Sequence, residues 1–363
     1  KTVFSYEKNS GTVQIYDKAS GLSDVGIKTG NYDPATKVLV VAYNNSNLDF
    51  IYNGTDIYNI PDIKNKNTVS AVSINGISFY NGNAYISSDI GISVVDLSRK
   101  EISNTYIIGS TGGQVKVYST TVDDNFIYAA TDEGVKRAST TSANLQDFNN
   151  WILFDSAQGL PKKKASFISA FSNKIYAVIG SNYTDTLFEF NGTSWTKIYF
   201  DPAHTFTSLN AVNGNLYFTT WCNSDLSATQ QKIDAAGNIT PYAYPHARAM
   251  NWFESSGVTW SSDAWGGIYK ASNGNEERIV PDGPSSANVF DLDIVDGVVN
   301  VAPGGVDDSW GFAWNFDGFF KYKNSRWSTT NGYSLAALSN YSDILSSATS
   351  TVRGKTYFGS FLS

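Results

Sequence analysis

Apolar and polar residues alternate along this chain in short runs, and turns cut the runs at regular intervals. The plainest sign is a refrain of a turn, one or two residues, then an aromatic or β-branched run. It reads Asn81-Gly82-Asn83-Ala84-Tyr85, Asp124-Asn125-Phe126-Ile127-Tyr128, Ser172-Asn173-Lys174-Ile175-Tyr176 and Asn213-Gly214-Asn215-Leu216-Tyr217. Weaker copies are Ser256-Gly257-Val258-Thr259-Trp260, Asp296-Gly297-Val298-Val299-Asn300 and Arg353-Gly354-Lys355-Thr356-Tyr357. Asn-Gly suits a two-residue hairpin because both positions tolerate φ > 0. Period-two runs before the refrain, such as Ser166-Phe167-Ile168-Ser169-Ala170-Phe171 and Phe290-Asp291-Leu292-Asp293-Ile294, predict strands with one buried face.

The refrains lie roughly 40–60 residues apart, near the period of a four-stranded propeller blade. The pattern therefore predicts an all-β propeller. Units begin near Val25, Val69, Gln114, Ala165, Phe206, Ala247 and Val289, with a half unit near Ser339. The N-terminal runs Val3-Phe4-Ser5-Tyr6 and Val13-Gln14-Ile15-Tyr16 read as the two outer strands that this half unit lacks. About eight units are expected on this count, with seven blades as the alternative. Pairing strands near Val3–Tyr16 with strands near Asp343–Gly359 would close the ring and leave no long open edge. Residues 1–363 are expected to form a single propeller domain, a fragment of a longer chain.

Composition narrows the function. Hydrophobic residues are 41% of the chain and charged residues 16%, so a core can form and disorder is excluded. The net charge of −7 argues against nucleic acid as a partner, which calls for a basic field. The one dense basic run, Lys162-Lys163-Lys164, reads as a solvated loop. The single cysteine, Cys222, allows no intrachain disulfide and reads as a small buried hydrophobe. There is no apolar run long enough to be a transmembrane helix.

Catalytic chemistry is thinly supplied. His204 and His246 are the only histidines, and both are expected in solvated connections between blades. Their surroundings lack the spacing of a zinc site, so no metal and no cofactor are expected. Asp291 with Asp293, and Asp307 with Asp308, read as solvated or turn-capping carboxylates. Ser261-Ser262-Asp263-Ala264-Trp265-Gly266 approaches a sialidase box but departs from it at the Gly and Thr positions. No catalytic residue is expected, and the chain reads as a non-enzyme.

The functional signal is aromatic. Five of the nine tryptophans lie between Trp252 and Trp314, and Trp265 and Trp310 each precede glycine. Glycine lets a ligand approach, and an indole stacks on sugar rings while its N–H donates. Trp265, Trp310, Trp314 and Trp260 are the candidate ligand-binding residues. Trp151, Trp195 and Trp327 read as packing.

A second repeat carries a family resemblance. Tyr16-Asp17-Lys18-Ala19-Ser20-Gly21-Leu22-Ser23 matches Phe154-Asp155-Ser156-Ala157-Gln158-Gly159-Leu160-Pro161. This Gly-Leu junction resembles the two-component-regulator-type β-propellers of the Bacteroidetes. The stretch from Phe4-Ser5-Tyr6-Glu7-Lys8 to Asp24-Val25-Gly26-Ile27 is similar to the N-terminal propeller of the PorZ family of type IX secretion. The resemblance implies a binding or scaffolding propeller of the cell envelope, in the periplasm or on the outer-membrane surface. It implies envelope proteins or a glycan such as lipopolysaccharide as partners, in type IX secretion and cargo attachment. The alternatives are an extracytoplasmic oligosaccharide sensor of a hybrid two-component regulator, and a carbohydrate-active propeller enzyme.

Overall fold

The computed structural model describes residues 3–65, 72–181, 183–243 and 245–362. They form an all-β propeller of four-stranded antiparallel blades. Seven sheets have four strands each, in chain order across the sheet: 27–60, 74–106, 117–153, 165–200, 205–241, 249–279 and 291–330. We number these blades one to seven. The first strands start at Ile27, Ile74, Val117, Ala165, Thr205, Ala249 and Asp291, and the last half unit at Ser342. Each lies within three residues of the expected start, except that Val69 falls outside the described residues.

Turn chemistry explains the hairpins. Asn81 and Gly82 have φ of 45° and 74°, Asn213 and Gly214 have 49° and 77°, and Asp296 and Gly297 have 52° and 74°. Both central residues are left-handed, which matches the twist of the flanking strands. The Asp124 hairpin is built differently. There Asp123 accepts from the backbone N–H groups of Asn125 (2.8 Å) and Phe126 (2.7 Å).

The second strand of a blade is the most buried. Val38–Tyr43, Asn83–Ser88, Lys174–Ile179 and Asn215–Cys222 are buried along almost their whole length. A strand covered on both faces belongs to a sheet packed between two others. Trp151, Trp195 and Trp252 fill such wedges, and Trp252 donates to the Phe218 carbonyl at 3.0 Å. Trp327 is half-buried against Tyr322. Cys222 is buried, as expected.

The repeated Gly-Leu junction is one device used twice. Leu22 and Leu160 are both buried, and their N–H groups donate to the carbonyls of Asp17 (2.9 Å) and Asp155 (3.0 Å). Gly21 and Gly159 turn the chain at φ of 110° and 85°. At Gly159 a Cβ would stand 2.5 Å from the Trp195 carbonyl oxygen, so only glycine fits.

The chain packs as two compact units, Lys1–Val280 and Pro281–Ser363. Each unit also holds a two-stranded hairpin. Strand β1 (Val3–Tyr6) pairs with β2 (Val13–Tyr16), and Ser342–Ser350 pairs with Lys355–Leu362, as two separate two-stranded sheets. Each hairpin completes its ladder through its own turn.

Within the first unit, the β1–β2 hairpin touches both ends of the run of blades. On the side of blade one, Val3 and Tyr16 join the core of Leu22, Val41, Tyr43 and Ile51, and the Tyr16 hydroxyl donates to the Gly54 carbonyl at 3.0 Å. On the side of blade six, Tyr6 lies 5.8 Å from Trp260, ring centre to ring centre. Lys270 Nζ donates to the Tyr6 hydroxyl at 3.2 Å, and Lys8 Nζ to Ser255 Oγ at 3.3 Å.

Candidate functional site

The strongest polar constellation of the first unit surrounds the turn that carries Trp265. Asp263 ends the second strand of blade six, and Gly267 opens the third. The Asp263 side chain is wholly buried and serves four groups. Its Oδ1 accepts the backbone N–H groups of Trp265 (2.7 Å) and Gly266, which fixes the turn. Its Oδ2 lies 2.7 Å from His246 Nε2 and accepts Arg248 Nε at 3.0 Å. Burial pushes the Asp263 carboxyl up. The His246 hydrogen bond, the Trp265 and Gly266 N–H groups and the Arg248 charge outweigh burial and hold it below the usual carboxylate range.

His246 is the hub of this network. It is buried, its Nδ1 sits 3.0 Å from both carboxylate oxygens of Glu276, and its ring packs 4.2 Å from that of Tyr269. Its backbone N–H donates to Gln230 Oε1 at 2.5 Å. The expected solvated loop histidine is thus corrected: the blade's strands bring two carboxylates to it. His204 is half-buried, with Nδ1 2.9 Å from Asp201 Oδ2 and Nε2 3.4 Å from Ser227 Oγ, so it too is held rather than solvated.

Above this buried layer stands an exposed one. Trp265 is 64% exposed. The edge of Trp221 meets it at 6.0 Å, and the Arg248 guanidinium lies 5.7 Å from its ring centre. Asp263 holds Arg248 through Nε alone, which leaves the terminal nitrogens free to donate outward. The result is an exposed indole beside an oriented guanidinium, both fixed by one buried carboxylate.

The other candidates fare differently. Trp260 is half-buried beneath Tyr6, with Lys8 Nζ 5.3 Å from its ring centre, so it is a seat for the N-terminal hairpin. In the second unit Trp310 is 78% and Trp314 59% exposed. Both have positive φ, 61° and 56°, and Phe312 stacks obliquely on Trp314 at 5.3 Å. Asp343 fixes this loop by accepting the N–H groups of Trp314 (3.0 Å) and Asn315 (2.9 Å).

Two of the four paired carboxylates, Asp307 and Asp291, have structural partners. Asp307 accepts from the N–H groups of Ser309 (2.8 Å) and Gly311 (2.7 Å) and so caps its own turn. Asp291 accepts the Ser347 N–H at 2.8 Å and fastens blade seven to the neighbouring hairpin, where a solvated or turn-capping role was expected. Among the described residues, no group of three or more His, Cys, Asp or Glu side chains is placed to hold a metal ion. No helix among them is long and apolar enough to cross a membrane.

Comparison with known proteins meets this geometry at its N-terminal end. Residues 1–152 match the family described as the N-terminal β-propeller domain of PorZ, of the type IX secretion system. The N-terminal part of this chain resembles a PorZ propeller. The solved structure of PorZ from Porphyromonas gingivalis is described as an essential bacterial surface component of that system. It matches 99% of this chain at 18% identity and a TM-score of 0.74. At that identity the likeness to PorZ shows the fold. This chain spans 47% of the length of the PorZ structure. The β-propeller domain of the Trilobed protease from Pyrococcus furiosus matches 77% of this chain and 90% of its own length, at 10% identity and a TM-score of 0.52. The extracellular domain of a putative one component system from B. thetaiotaomicron covers 98% of this chain and 55% of its own at 16% identity, but its TM-score of 0.38 carries no argument. No curated protein matches the chain.

Proposed function

We propose that this chain is a non-enzymatic binding and scaffolding propeller of the bacterial cell envelope. It works outside the cytoplasm, with protein or glycan partners, as a PorZ-like component of type IX secretion and cargo attachment. The observation that carries this reading is the match of residues 1–152 to the PorZ N-terminal propeller. The surface of the first unit supports it. Rigid blades with a fixed exposed indole suit recognition, because loops on a rigid scaffold carry binding while the blades hold their place. Trp265 is the central contact of the first unit. Trp310 and Trp314 form a separate contact surface on the second. Trp260 contributes by seating the hairpin.

The test is binding of the purified chain to purified type IX attachment proteins and to envelope glycan from a Bacteroidetes outer membrane. Trp265→Ala should weaken binding by about 0.5–1.5 kcal/mol, the worth of an aromatic contact beyond burial. Its melting curve should stay unchanged, because the side chain is mostly exposed. Trp310→Ala should behave alike. Loss of binding that merely tracks unfolding would make the tryptophan a packing residue and remove it from the site.

No turnover is expected with oligosaccharides or uronates. Turnover that disappears in Glu276→Gln or His204→Gln, with the fold intact, would make the chain an enzyme and reverse this reading.

A further inference from the structure

The turn that carries Trp265 holds a second arginine besides Arg248. Glu276 and Arg278 lie on the fourth strand of blade six, Asn275–Ile279, two residues apart and so on one face of the sheet. Cross-strand pairing sets Arg278 opposite Tyr269, whose ring packs on His246. From that position the Arg278 Nε–H donates to the Gly266 carbonyl at 2.5 Å. Arg248 is tied in the same manner, with its Nε–H donating to Asp263 Oδ2 at 3.0 Å. One short turn thus orients two guanidiniums through their inner nitrogens, and both side chains are exposed.

Three observations point to an anionic ligand here. First, each arginine spends only its Nε–H on the turn. Among the described residues, no acceptor meets the terminal nitrogens of either one. Second, the carboxylates around them are committed. Asp263 serves four groups, both oxygens of Glu276 face His246 Nδ1, and Glu277 pairs with Lys270 at 2.9 Å. Arg278 is therefore left without a counter-charge, and Arg248 shares Asp263 with three other groups. Third, the free polar groups of Arg248, Arg278 and Trp265 are donors only. Sugar hydroxyls donate as well as accept, so the committed carboxylates leave half of their needs unmet. A carboxylate ligand needs donors alone.

We propose that this turn docks an acidic segment of a partner protein. Arg248 and Arg278 take its carboxylate side chains, and Trp265 takes an apolar side chain beside them. A guanidinium matches a carboxylate with two parallel hydrogen bonds. Tryptophan and arginine are also the residues that most often carry the energy of protein interfaces. The matching segment places an aromatic or aliphatic residue next to aspartate or glutamate. The chain as a whole has a net charge of −7, so the attraction is local to this turn. The inference rests on the reading of Trp265 as a contact residue and adds the chemistry of what it meets.

The test uses the full chain and, as probe, the blocked peptide acetyl-Gly-Glu-Phe-Glu-Gly-amide, with the Gln-Phe-Gln peptide as control. The Trp265 indole N–H and the Nε–H of both arginines are followed by NMR during titration. Saturable shifts are expected with the Glu peptide, and salt should weaken them as it screens exposed charges. The Gln peptide should bind at least roughly tenfold more weakly, since it loses the charged hydrogen bonds. Arg278→Gln should weaken binding of the Glu peptide by a similar factor at an unchanged melting temperature, because Arg278 is exposed. Arg278→Lys keeps the charge without the fork and should bind between the two. No saturable shift, equal binding of the two peptides, or full affinity in Arg278→Gln would each overturn the proposal. Tighter binding of a glucuronate oligosaccharide than of the Glu peptide would also overturn it, since the ligand would then be an acidic glycan. If type IX attachment proteins require Trp265 yet bind Arg278→Gln unchanged, the function proposed above stands and this inference falls.

Discussion

Replacing Asp263 by alanine should lower the stability of the chain by about 3 kcal/mol, the lower end of the range for removing one partner of a buried ion pair. The lower end applies because Arg248 is 45% exposed and recovers water when released. His246 cannot do so. Its side chain is 7% exposed, and losing Asp263 leaves Nε2 facing an empty space. The N–H groups of Trp265 and Gly266 lose their acceptor at the same time. Asp263→Asn keeps an oxygen for those N–H groups and should cost less. Urea unfolding of the three proteins checks the order. Equal midpoints would show that the network holds nothing.

The same carboxyl sets a pH dependence. Its folded-state value lies below the ordinary one, so its contribution is complete above the unfolded value of about 3.9. It is lost as pH falls through the folded value. The stability gap between wild type and Asp263→Ala should therefore be constant near neutral pH and close under acid conditions. A gap that widens on acidification would mean that the sign of the coupling is wrong.

The parts of this molecule that are legible in its sequence are those fixed by neighbours along the chain. The refrain turns need positive φ at two adjacent residues, and Asn-Gly and Asp-Gly announce that need locally. The Gly-Leu junction is legible because its Asp, its left-handed glycine and its buried leucine lie within six residues of one another. Both N-terminal strands fall where alternation put them.

What the sequence hid depends on register. His246, Arg248, Asp263 and Glu276 sit on three separate stretches of blade six. They meet because Ala249 pairs with Asp263 and Ala271 with Glu276 across the sheet. No local pattern states that pairing. One signal was available in Asp263 itself, since a carboxylate just before Trp-Gly at a hairpin turn is placed to cap it. The glycine beside its indole singles out Trp265 in the sequence, and the structure exposes that side chain. Trp260 has the same composition cue in Gly257 nearby, yet it serves Tyr6, which arrives from the far end of the unit. Composition marks an aromatic as notable, and only tertiary structure says whether solvent or another segment faces it.

Deleting residues 1–20 should lower the melting temperature by at least roughly 5 °C, on a scale of about 2–4 °C per kcal/mol for a unit of this size. The deletion removes Tyr16, which is 5% exposed, and Val3 from the blade-one core. Burying one large apolar side chain is worth about 1.5–3 kcal/mol, so these two alone account for the shift. Leu22 and Tyr43 lose their cover, and on blade six Trp260 loses Tyr6. The uncovered surface is apolar and flanked by sheets, so the shortened chain should also associate at concentrations where the full chain does not. A point variant separates packing from simple loss of chain. Tyr6→Ala and Trp260→Ala should each lower the melting temperature, and the double variant should lose less than the sum of the two. Strict additivity would mean that the rings do not support each other and that the hairpin is not seated on blade six. A deletion that melts like the full chain would show that blades one to six are complete without the hairpin.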